Sequence, residues 1–202
     1  MIKNKFFIFE KLLFLGIITG ALFGFWYFET SLSIKILATI LMLIGLLTLL
    51  QKSNVVQSSN NRFEMLSLPT IYIGAFTLYN LIANINLPIY IVMIMVLILT
   101  TVTAFAVLSM NQTSELMKLE LFYSFVLLIG LVATEIFLGL YFWPINVEIK
   151  SLVLVIIFYQ IAALVYFYAR SMLRLNKIVG SLVINFFILA IIFWSLWPKL
   201  SS

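Results

Sequence analysis

The sequence is a succession of apolar runs almost free of charge, each close to the roughly 20 residues an α-helix needs to cross the hydrocarbon of a bilayer. Seven can be read, at about 11–29, 34–51, 66–86, 88–109, 119–142, 150–169 and 179–198. Of the 202 residues, 64% are hydrophobic and 9% charged, where a soluble domain carries about 25% charged residues. A water-soluble chain this apolar could not cover its own surface. The expected fold is an all-α integral membrane protein, a single polytopic domain over 1–202 whose helices form a bundle of about seven spans. Its first partner is the lipid bilayer.

The third and fourth runs almost touch. Asn84, Asn86 and Pro88 mark a break between them, because proline disfavours helix in the residue before it and tolerates a helix start. Six spans would require 66–109 to be one long helix or a re-entrant pair. The opening Met1-Ile2-Lys3-Asn4-Lys5 resembles a secretory signal, but no small-x-small cleavage site follows, so it reads as a retained first helix.

Loop charges give an orientation. With the N-terminus in the cytoplasm, the inner connections hold Lys3, Lys5, Lys11, Lys52, Arg62, Lys118, Arg170, Arg174 and Lys177, and the outer ones Lys35, Lys150 and Lys199. Nine against three is the asymmetry of the positive-inside rule. Trp26, Trp143, Trp194 and Trp197 all fall at outer ends, where an interfacial aromatic belt places them. The C-terminus is then outside. The net charge of +5 therefore reads as topology, with no nucleic-acid partner. Arg170, Arg174 and Lys177 cluster at the inner end of the sixth run and suit anionic lipid headgroups or topological anchoring.

Cysteine, histidine and aspartate are absent. That removes thiolate and imidazole metal sites, Ser-His-Asp triads and aspartyl dyads, and neither a cofactor nor a metal is expected. No phosphate loop, GxSxG or HExxH occurs.

Glu135 is the residue that stands out. It lies eight positions before Trp143, about 12 Å below the outer interface at 1.5 Å per residue. A carboxyl group at that depth must be protonated, paired or wetted, which makes it a functional hypothesis. The other reading is a neutral acid acting as polar glue between helices. Thr134, Asn80 with Tyr79, and Gln160 beside Tyr159 lie at comparable depth and are candidates to line a substrate or proton path with it. Thr100, Thr101 and Thr103 read as hydroxyls bonded to their own preceding carbonyls. Gly16, Gly20 and Gly24, four residues apart, form a groove for close helix packing, read as packing within the chain.

A shift of 115 residues lays Gly24–Lys35 on Gly139–Lys150 and helices one to three on five to seven. Chance between two apolar helix-loop-helix units is the simpler reading. The sharper one is a parallel 3+1+3 repeat with an inverting fourth helix.

Three functional classes follow. The first is a small-molecule or proton-coupled transporter or ligand-binding membrane protein, toward which Glu135 tilts the balance. The second is a non-catalytic subunit or assembly factor that packs against other membrane-protein subunits. The third and least supported is an intramembrane enzyme, since acid-base catalysis usually needs a positioned second group. Frequent Lys, Asn, Ile and Phe suggest an AT-rich prokaryotic genome and its plasma membrane.

Overall fold

In lipid no water is at hand for exposed peptide groups, so the backbone must bond within its own segment. The computed structural model agrees: every regular element among the described residues is helical. It describes residues 2–36, 38–40, 43, 60–110, 118–169, 183 and 190. The helices are α1 (Ile2–Phe28), α2 (Asn60–Ile85), α3 (Ile89–Met110), α4 (Leu119–Tyr141) and α5 (Val147–Ala169). Residues 32–36 and 38–40 are helical as well. Four stretches are long and apolar enough to cross a membrane: Ser67–Ile85, Ile89–Ser109, Leu119–Tyr141 and Val147–Ala169. The described apolar part of α1, Leu15–Phe28, is shorter. The expected spans 34–51 and 179–198 lie largely outside the described residues, as do Arg170, Arg174 and Lys177.

The third and fourth apolar runs are two helices. Asn86 takes a left-handed conformation, φ 55°, which asparagine adopts more readily than most residues. The Leu87 N–H then donates back to the Leu81 carbonyl at 3.3 Å, and the Pro88 carbonyl accepts from Ile91 at 3.0 Å. Three helix starts differ from expectation. α1 begins at Ile2, well before residue 11, α2 at Asn60, before 66, and α5 at Val147, before 150. In α5 the cause is the cap: the Asn146 carbonyl accepts from both Ile149 and Lys150 at 3.1 Å, drawing Glu148 and Lys150 into the first turn.

α2 packs against α1, α3 and α5, and α4 packs against α3 and α5. The main core unites α2–α5 around Ile71, Tyr79, Val96, Ile129, Phe137 and Phe158. A second cluster seats α1 on α2, with Phe25 edge-on to Phe76 at 5.2 Å. Lipid tails are as apolar as leucine, so helices gain from close approach and hydrogen bonds more than from burial alone. Three glycines supply the approach. A Cβ on Gly24 would collide with the Thr77 side chain, one on Gly74 with Leu99 and one on Gly130 with Thr101. At the first crossing, the Thr77 hydroxyl lies 2.9 Å from the Ile73 carbonyl and 3.2 Å from the Ala21 carbonyl of α1. Gly16 and Gly20 are exposed and meet no described atom at their Cβ positions. Gly24 is thus the member of the glycine series that packs within the described bundle.

Thr100 and Thr103 bond the Val96 and Leu99 carbonyls at 2.7 Å. The Thr101 Oγ1, pressed on Gly130, is buried without a partner.

Gly130→Leu should therefore destabilise the fold by about 1–3 kcal/mol through overpacking. Thr101→Val should leave stability unchanged or raise it by up to about 1 kcal/mol, because no hydrogen bond is lost. Unfolding titrations in mixed micelles measure both; equal losses in the two variants would contradict this packing.

Candidate functional site

Polar side chains in the bundle separate into an inward group and an outward one. α4 divides them. Its buried residues are Phe122, Val126, Ile129, Gly130, Ala133, Thr134, Phe137 and Leu140. On the opposite side Leu121, Leu128, Leu131 and Phe142 are exposed. Glu135 and Gly139 are exposed too, and their three- and four-residue spacing sets them in that same stripe.

The inward group centres on Tyr79 and Lys150. Tyr79 is buried, stacks on Phe137 with ring centroids 4.0 Å apart, and donates its hydroxyl to the Phe137 carbonyl at 3.0 Å. Lys150 is 9% exposed. Its Nζ donates to the Tyr141 carbonyl at 2.9 Å and stands 5.7 Å from the Tyr79 ring centroid and 5.9 Å from that of Tyr141. A cation set against the last carbonyls of α4 complements the negative end of the helix dipole. The two ring faces add cation–π attraction, which strengthens as water is excluded. One side chain thereby ties the end of α4 to the start of α5 and to α2. Sequence reasoning counts Lys150 among the loop cations and misses this role. The available signal is that Lys150 falls a few residues after Asn146, a residue type that caps helices, within reach of a preceding tyrosine.

The other expected site residues are distributed as follows. Thr134 is buried and bonds the Gly130 carbonyl at 2.8 Å. Asn80 is half-buried, donates to the Phe76 carbonyl at 2.9 Å and accepts from the exposed Asn84 at 3.1 Å. Gln160 is buried in α5, ten residues from Lys150, or about 15 Å along the helix axis. Tyr79, Thr134 and Gln160 thus belong to the interior, while Glu135 faces away from it. Among the described residues no group of three or more acidic side chains could hold a metal ion.

These features describe a chain that is all-helical over its described residues, with four helices there long and apolar enough to cross a membrane. Within that class the chain belongs to the family described as Protein of unknown function (DUF5656), whose profile matches residues 16–195. No curated protein and no solved structure matches it.

Lys150→Met keeps the length of the side chain and removes its charge. It should lower stability by about 1–2 kcal/mol. Tyr79→Phe, which keeps the stacking on Phe137, should cost about 1 kcal/mol. An unfolding midpoint unmoved by Lys150→Met would show that the ammonium does not hold α4 to α5.

Proposed function

We propose that this protein acts by lateral association within the membrane, as a non-catalytic subunit or assembly factor of a membrane-protein complex. The observation that carries this reading is Glu135, an acid exposed on a stripe of α4 whose other members are apolar apart from Ser124, six residues before the helix ends at Tyr141. Six residues correspond to about 9 Å of depth. Intramembrane acids are costly and are almost always paired, buried between helices or set in water. A neighbouring protein removes that cost by covering the acid. The interior offers Glu135 no equivalent, because the buried side of α4 is turned away from it.

The complete architecture in this proposal is a seven-helix bundle with a cytoplasmic N-terminus and an external C-terminus, in a prokaryotic plasma membrane. Support for the orientation comes from the nine-to-three distribution of cationic residues. A parallel 3+1+3 repeat is part of it, supported by local geometry that recurs at the 115-residue shift. Ser31 and Asn146 correspond, and their carbonyls accept from Lys35 and Lys150, each at 3.1 Å. Lys35 stands 5.7 Å from the Trp26 ring as Lys150 stands 5.9 Å from its counterpart Tyr141. Thr19 and Thr134 each bond the carbonyl four residues back at 2.8 Å.

A second reading, a small-molecule or proton-coupled transporter or ligand-binding membrane protein, is favoured by Gln160 and Lys150, polar groups held inside α5. One experiment separates the two. The chain has no cysteine, so single cysteines at 135, 80 and 160, with controls at Ser59 and Asn146, can be probed in intact membranes with an impermeant thiol reagent. Association predicts labelling of Asn146→Cys from outside and silence at Ser59→Cys and Glu135→Cys. Labelling at both 135 and 80 would favour transport and overturn the association reading.

A further inference from the structure

We infer that the exposed stripe of α4 is the docking surface for a transmembrane helix of another protein, one that carries a lysine or arginine at the depth of Glu135. The inference rests on the association reading and adds the chemistry of the partner.

Three observations combine. The first is shape: Leu121, Ser124, Leu128, Leu131, Glu135, Gly139 and Phe142 recur at three- and four-residue spacing, so they form one continuous face along α4 and its C-cap, and all are exposed. The second is the space beside the acid. Gly139 lies four residues from Glu135 on that face, and no described atom comes within 4 Å of its Cβ position. A helix backbone can therefore approach there as α2 approaches Gly24.

The third observation, charge, selects the occupant. α3 has no lysine or arginine, and the lysine nearest α4 in sequence, Lys118, precedes its opposite end. Lys150 in α5 is committed inward, to the Tyr141 carbonyl and the two tyrosine rings. The apolar runs 34–51 and 179–198 contain only Lys35, at the edge of the first. The chain thus has no cation of its own to set against Glu135 in mid-span. A second copy has none either and would bring carboxyl against carboxyl. The complementary charge has to come from a different chain, and in a membrane such pairs form between facing helices.

The test uses the full-length chain in vesicles of neutral phosphatidylcholine, with a donor dye on Asn146→Cys. Two synthetic leucine-rich transmembrane peptides of about 20 residues carry the acceptor; they differ only in having Lys or Leu at the matching depth. The lysine peptide should bind about tenfold more tightly than the leucine peptide. Glu135→Gln and Glu135→Leu should abolish the difference, and Glu148→Gln, at an exposed acid in the first turn of α5, should preserve it. Circular dichroism and thermal melting verify that each variant is folded. Equal binding of the two peptides overturns the inference, as does a lysine preference that survives Glu135→Leu. Energy transfer between copies of the chain alone, lost in Glu135→Leu, assigns the face to a second copy and also overturns it. A native companion lacking any Lys or Arg in its spans removes this inference and leaves association standing. A monomeric chain labelled by aqueous reagent at 135 removes both.

Discussion

The bundle depends on how closely its helices approach one another. In water an apolar stripe drives two helices together; in lipid the stripe is equally content with acyl chains, and contact must offer more than burial. Gly24 against Thr77 and Gly130 against Thr101 are the points where two backbones come close enough for hydroxyls and carbonyls of different helices to meet. The Thr77 hydroxyl reaches the Ala21 carbonyl at 3.2 Å, and the Thr100 hydroxyl lies 3.4 Å from the Gly130 carbonyl. Around these contacts the larger side chains fill in. The Phe25–Phe76 edge contact lies at the α1–α2 pair already brought together, whereas the Tyr79–Phe137 stack reaches between α2 and α4, which both pack on α3 and α5.

The Lys150 contacts work at a different level. They do not bring helices together along their lengths but set how α4 ends and how α5 starts. The capping carbonyl of Asn146, the ammonium on the Tyr141 carbonyl and the tyrosine faces together turn a short connection into a fixed corner. Inside this corner the polar groups are satisfied locally, as Thr134 on Gly130 and Ser151 on Val147 show. That leaves Glu135, on the other side of α4, as the acid whose surroundings the bundle interior does not supply.

Much of the architecture is legible in the sequence, because length and apolarity translate directly into spans. The break at Asn86–Pro88 is readable for a local reason, since a left-handed asparagine and a helix-starting proline both act within a few residues. The hydroxyls of Thr100 and Thr103 are readable likewise, because the acceptor four residues back is fixed by helix geometry. The direction of Glu135 is not. In a soluble helix the polar face declares which side is out, but a helix that is apolar all round gives no such sign, and α4 shows its two sides only once Gly130 is seen against α3, Ala133 and Thr134 buried, and Glu135 exposed. Nor does the sequence reveal that Lys150 is buried: a lysine at the end of an apolar run is the ordinary mark of a loop, and its inward turn depends on tyrosines contributed by two other segments. The glycine series divides for the same reason. Spacing aligns Gly16, Gly20 and Gly24 on one face, whereas only the tertiary path of α2 decides that Gly24 is the one it meets.

The short link between α2 and α3 carries a consequence for how the protein is made. Only residues 86–88 separate the two helices, and the four steps from Ile85 to Ile89 reach about 14 Å even when fully extended, less than half of the roughly 30 Å thickness of bilayer hydrocarbon. Ile85 and Ile89 must therefore stay at the same membrane surface from the moment both exist. The two helices have to be inserted together, as one hairpin, and an error in the polarity of one would reverse the other with it. The Asn86 turn is thus a device of biogenesis as much as of packing: it turns two insertion decisions into one.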